Sequence, residues 1–274
     1  MQTNTLTLPV NIFERMGFNK SVLYRSKTYI SEQVINRYNS LLYQFNQIEN
    51  SNYHQKIMIF NSLKAILLAN GISLPWRVER ISKLINKINK LKYCASKLHS
   101  LHTKKKLNSL LSTYIEKIST VDAQIKKYLK AKNCFPTLIP NAVISTEKYF
   151  SSINKKYSQL LPFFNFVHDE EFIEDYNMLR KKLAVFYSQF EAIHLFNNKV
   201  DCSEFETLHT AVVLLNKIYY LNSLVLKLEK YAKKHKYNLD DDIEQLENDI
   251  FDMSDLFDSK ALQLKSSLGN LVKL

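Results

Sequence analysis

Apolar residues recur at steps of three and four along most of this chain, and that spacing predicts helices. Ile30, Val34, Ile35, Tyr38, Leu41, Leu42 and Phe45 form one such stripe, so a helix is predicted from Thr28 to about Glu49. Ser51 is placed to cap the next, which runs to Ala69 or Asn70 with Gly71 as its C-terminal stop. The segment Ile72–Trp76 turns the chain. Pro75 fits the first turn of a new helix, where its missing N–H costs nothing.

From Pro75 to Asn133 there is no Gly and no further Pro. A single helix there would be about 85 Å long at roughly 1.5 Å per residue. Near His99–Lys106 the apolar stripe gives way to His-Ser-Leu-His-Thr-Lys-Lys-Lys, so two antiparallel helices are predicted, over 75–101 and 104–132. Val78, Ile81, Leu84, Ile85, Ile88, Leu91, Ala95 and Leu98 are the core face of the first. Pro136 and Pro140 make Cys134–Asn141 the strongest punctuation in the chain. Helices follow from about Ser145 to Leu161, Asp169 to Phe196, Glu204 to Lys236, and Asp240 to the end. In the last, Ile243, Leu246, Ile250, Met253, Phe257, Ala261, Leu264, Leu268 and Leu271 slip between heptad positions, which favours bundle packing over a coiled-coil seam. The fold expected is all-α, with seven to eight mostly antiparallel long helices in one bundle or two packed lobes. Residues 1–26 have no clear period and read as an arm, 27–135 as one lobe and 141–274 as a second.

Composition excludes whole classes of function. The 274 residues include only Gly17, Gly71 and Gly269, no two of them close together. Phosphate-cradling loops and dinucleotide fingerprints need several glycines within one short stretch. Apolar residues make up 46% of the chain, enough to bury a core. Cys94, Cys134 and Cys202 form no Cys-x-x-Cys pair, so no disulfide framework is expected and an intracellular setting, cytoplasmic or nuclear, is the default. No basic stretch followed by an apolar core opens the chain, so no secretory signal peptide is expected; Arg15 and Arg25 leave an organelle-targeting reading open. Uncharged runs such as Ala65–Trp76 and Tyr157–His168 reach about a dozen residues. A membrane-spanning helix needs about 20, and no such segment is expected.

Charge sharpens the division into lobes. The chain has 38 basic and 26 acidic residues, a net +12. Residues 1–140 carry 22 basic and 6 acidic, or +16; residues 141–274 carry 16 and 20, or −4. Arg80, Lys83, Lys87, Lys90, Lys97 and Lys104 form a ridge roughly 130° from the apolar face. Lys105 and Lys106 widen it, as do Lys126, Lys127, Lys130 and Lys132. Such a ridge is either the solvated face of a bundle helix or a site for a polyanion or an acidic protein. Its lysines lack the planar fork that reads base edges, so any nucleic acid would be held by backbone phosphate. Asp240–Asp258 holds nine acids and no Lys or Arg. Asp240, Asp241 and Asp242 suit a helix N-terminus, as caps and as partners of its dipole. With Glu244 and Glu247 they also form an acidic face that would dock this chain's own basic half or a basic partner.

Candidate chemistry is sparse. Glu191 with His194 and Glu206 with His209 are both Glu-x-x-His, the motif that di-iron and di-manganese bundles use in pairs with further Glu residues. Ser203-x-x-Glu206 is equally a capping box, and His194 fits the last turn of a helix, so a metal site is a remote reading and no cofactor is expected. Phe163, Phe164 and Phe166 follow Pro162 outside a helix, as an exposed anchor for a partner or as packing beneath the loop. No Gly-x-Ser-x-Gly elbow is present, and an enzyme is not expected. The leading expectation is a non-catalytic helical interaction protein: an adaptor, a subunit of an assembly or an effector-like binder whose partner is a protein. The alternative is a module contacting RNA or DNA backbone, or an anionic lipid surface, through the lysine ridge. The remote third is a helical-bundle metalloprotein.

Overall fold

The computed structural model describes residues 27–48, 53–70, 72–130, 134–138, 155–156, 158–160, 178–187 and 203–268. Among these, 86% are helical, in eight helices with no strand, so the fold is all-α. The helices are α1 (Lys27–Gln47), α2 (Tyr53–Ala69), α3 (Trp76–Ser100) and α4 (Asn108–Leu129). Parts of α5, at 155–156 and 158–160, and of α6, at 178–187, follow. The last two are α7 (Ser203–His235) and α8 (Asp240–Leu268). The N-terminal arm and Gly71 lie outside the described residues.

Helix ends show how a glycine-poor chain turns. The lysine run expected to open α4 is instead used in the turn before it. There the Lys106 N–H donates to the Thr103 carbonyl at 2.8 Å and the Leu107 N–H to that of Lys104 at 3.1 Å. At the end of α7, Lys236 sits in the left-handed region at φ 56°. The Tyr237 N–H reaches back to the Ala232 carbonyl at 3.1 Å. Glycine is usual at such a stop, and a residue with a Cβ costs about 1 kcal/mol or more there. The first turn of α8 is capped by Asn238, whose Oδ1 accepts the Asp240 N–H at 3.0 Å. Asp240, Asp241 and Asp242 fill that first turn, where their charges suit the positive end of the helix dipole.

The chain forms two compact units, each drawn from separate stretches of sequence. Unit 1 comprises 1–74, 135–212 and 258–274; unit 2 comprises 75–134 and 213–257. The proline linker divides charge along the chain, whereas unit 2 takes one stretch from each side of it. Unit 2 has 21 basic and 12 acidic residues, so it holds +9 of the net +12.

In unit 1, α1 and α2 pack together and bury Tyr38, Leu41, Phe45, Phe60, Leu63, Ile66 and Leu67. Phe135 inserts its ring between theirs, edge-on to Phe45 at 5.5 Å and tilted against Phe60 at 5.2 Å. The Tyr38 hydroxyl donates to the Pro136 carbonyl at 2.7 Å. That bond satisfies a backbone group that has no helical partner, and burial pushes the phenol's pKa up. Lys56, itself buried, donates to the Ile48 carbonyl at 3.2 Å and lies 5.1 Å from the Phe45 ring centre.

In unit 2, α3 and α4 pack as a hairpin. The buried face of α3 is Val78, Ile81, Leu84, Ile85, Ile88, Leu91, Cys94 and Leu98. Cys94 takes the place expected for Ala95, because its thiol finds the Tyr220 carbonyl at 3.7 Å. From α7 come Leu214, Leu215, Ile218, Leu221, Leu224 and Leu228, and from α8 Leu246 and Phe257. Only Lys217 interrupts the uncharged residues from 207 to 226. The helix Glu206–His235 therefore contains an 18-residue window, of mean hydropathy 1.3, that is apolar enough to cross a membrane by length and composition. Half of that window is buried inside the protein.

Candidate functional site

The lysine ridge of α3 is not continuous. Arg80, Lys83 and Lys87 are exposed, as are Lys104, Lys105 and Lys106 on the following turn. Between them Lys90 and Lys97 turn toward neighbouring helices. The Lys97 ammonium pairs with the Asp249 carboxylate on α8 at 2.6 Å. Lys90 donates to Ser223 Oγ on α7 at 2.6 Å and lies 4.4 Å from the centre of the Tyr219 ring. On α4, Lys126 pairs with Asp122 one turn back at 2.7 Å. Lys127 and Lys130 are exposed, and Lys132 lies outside the described residues.

The acidic run of α8 divides in the same way. Asp242 is fully buried. Its carboxylate accepts the His102 N–H at 3.0 Å and the Thr103 hydroxyl, which fastens α8 to the turn between α3 and α4. Asp249 is taken by Lys97. Asp240, Asp241, Glu244, Glu247, Asp252 and Asp255 remain exposed. On a helix of about 100° per residue, Asp240, Glu244, Glu247 and Asp255 fall within about 40° of Phe251. Phe251 is 66% exposed, so an aromatic ring stands in water amid carboxylates. Sequence reasoning missed this residue, although a signal was present. Phe251 lies well off the stripe that runs through Leu246, Met253 and Phe257.

A second cluster joins three helices of unit 2 around Cys94. The Lys227 ammonium donates to the Tyr114 hydroxyl at 3.1 Å and lies 4.7 Å from the centre of that ring. The Cys94 thiol is hydrogen-bonded to Tyr114 and feels both Lys90 and Lys227. Burial pushes its pKa up, and the two lysines only partly offset that, so it stays a thiol, the less nucleophilic form. Burial likewise raises the pKa of Tyr114. Tyr93 is pushed up to about 12, by burial first and then by the Asp249 and Cys94 charges. Lys227 is lowered, by burial first, then by Lys117, with Lys90 adding and Cys94 opposing.

The remaining candidates are scattered. Glu191, His194, Phe163, Phe164 and Phe166 lie outside the described residues. Glu206 is exposed. His209 Nδ1 lies 3.1 Å from the Tyr187 hydroxyl, and the two rings meet at 5.4 Å. Among the described residues no three His, Cys, Asp or Glu side chains gather where a metal ion would fit. Compared with known proteins, the chain matches no family model, and neither a curated protein nor a solved structure matches it significantly.

Proposed function

We propose that this chain is a non-catalytic helical interaction protein that binds another protein through the outward face of α8. The observation that carries the reading is Phe251, exposed among Asp240, Glu244, Glu247 and Asp255. Burying a phenylalanine side chain contributes about 1.5–3 kcal/mol, a large share of the energy at a small interface. The carboxylates around it select a basic partner and speed its approach. Anchors spaced by three and four on one helix suit insertion into a groove. The partner is therefore a protein with a basic groove and an apolar notch. The test is co-purification of the full chain from its source with nuclease present, then direct binding to the protein recovered. Phe251→Ala is expected to weaken binding at least tenfold, and Glu244→Lys with Glu247→Lys to abolish it. Lys83→Glu with Lys87→Glu is expected to leave it intact. Undiminished binding by the α8 variants would overturn the reading.

A second reading is favoured by Arg80, Lys83 and Lys87, which stand exposed on α3 with no ion pair among the described residues. They would hold an anionic polymer such as RNA or DNA backbone, with strong salt dependence. Lys83→Glu with Lys87→Glu would then abolish retention on heparin at low salt. Lys90 and Lys97 are poor probes, since both take part in packing unit 2.

A further inference from the structure

We propose that Lys90, Lys117 and Lys227, with Ser223 and Tyr114, form a binding site for a phosphate group. Three helices supply it, each with two residues about one turn apart and so on one face: Lys90 and Cys94 on α3, Tyr114 and Lys117 on α4, Ser223 and Lys227 on α7. What sets the cluster apart is the nature of its partners. Elsewhere in unit 2, Lys97 and Lys126 each meet a carboxylate. Among the described residues, Lys90 and Lys227 meet a hydroxyl, a phenol and two ring faces and no carboxylate. Lys117 is exposed and meets no carboxylate among the described residues.

The ammonium groups are within electrostatic reach of one another, since Lys90 and Lys117 both disfavour the charge on Lys227. Holding like charges together at a partly buried position is costly, and an anion between them removes that cost. Two of the three are already oriented by hydrogen bonds and ring faces, so less rotamer entropy is lost on binding. The donor set is the two oriented ammoniums of Lys90 and Lys227, the exposed ammonium of Lys117 and the hydroxyl of Ser223, with the Tyr114 phenol holding Lys227 in place. Lysine ammoniums with hydroxyl donors are a common setting for phosphate oxygens. The site is separate from the outward face of α8, so either proposal can fail without the other.

The test uses the full chain, with inorganic phosphate as probe, at constant ionic strength against chloride and acetate. Phosphate is expected to raise Tm where chloride and acetate do not, and to bind in titration calorimetry. A phosphate monoester run in parallel distinguishes free phosphate from a phosphorylated small molecule by the tighter of the two. Lys117→Ala, at an exposed position, and Lys227→Met, which keeps the stem, are each expected to weaken binding at least tenfold with helical content unchanged. Lys83→Ala with Lys87→Ala is expected to leave it unaltered. Equal Tm in phosphate and chloride, or full binding retained by Lys117→Ala and Lys227→Met, would overturn the proposal.

Discussion

The two units are closed by different means. Among the described residues of unit 1 the rings of Phe45, Phe60 and Phe135 meet one another, and the Tyr38 hydroxyl and the Lys56 ammonium each hold a backbone carbonyl. In unit 2 the helices are joined by Lys97 with Asp249, Lys90 with Ser223, Lys227 with Tyr114, and Asp242 with the α3–α4 turn. Apolar contacts add energy without demanding a partner of given charge. Polar contacts add little net energy but are costly to leave unmade. Unit 1 is therefore expected to be sensitive to lost volume, and unit 2 to lost partners, pH and salt.

The largest test of that contrast is Phe135→Ala. Removing a buried ring costs about 3–5 kcal/mol, and the loss should be the same at low and high salt in urea unfolding. A loss under about 1 kcal/mol would mean that the rings of unit 1 are not its closure. Next comes Asp242→Ala, which strands the His102 N–H and the Thr103 hydroxyl and should cost about 1–3 kcal/mol. Asp242→Asn keeps an acceptor and should cost less; equal losses would show that the contact is only packing.

Alkaline pH separates the units more gently. Tyr93 titrates near 12 in the fold against 10.0 ordinarily, so the unfolded chain loses its proton first. The stabilisation is complete below pH 10 and is lost as pH rises toward 12. Tyr114 in unit 2 and Tyr38 in unit 1 are shifted the same way. Midpoints of urea unfolding should fall above pH 10, and Tyr93→Phe with Tyr114→Phe should flatten that fall more than Tyr38→Phe does. The smallest effect belongs to Lys97 and Asp249, whose side chains are both partly exposed. A double-mutant cycle should give about 0.2–1 kcal/mol of coupling, shrinking as salt is added. Coupling that ignored salt would count against the contrast.

Local pattern was enough for the helices and for most of their buried faces. On α3 it misplaced one position, Cys94, because what favours the thiol there is a carbonyl 126 residues away. Phe135 and Pro136 read as punctuation, and proline does end helices. That Phe135 is core, and that Pro136 lends its carbonyl to Tyr38, depends on residues far upstream. Nor does periodicity separate Lys90 and Lys97 from Lys83 and Lys87, which are the same residue type on the same ridge. Their roles divide according to what α7 and α8 place opposite them. The candidate sites follow the same rule: charge was legible, but which charges remain outward was not. Phe251 was legible only as a misfit to its stripe.

The interleaving of the units has a consequence for synthesis. The α3–α4 hairpin is complete at Cys134, yet its partners in unit 2 begin only at Val213. At roughly 5–20 residues per second, the ribosome would keep the hairpin waiting for about 4–16 s. Throughout that interval the apolar face of α3 and the ammoniums of Lys90 and Lys97 lack the residues that later cover or pair with them. The nascent hairpin is thus briefly more basic in its surroundings, and stickier, than the finished protein.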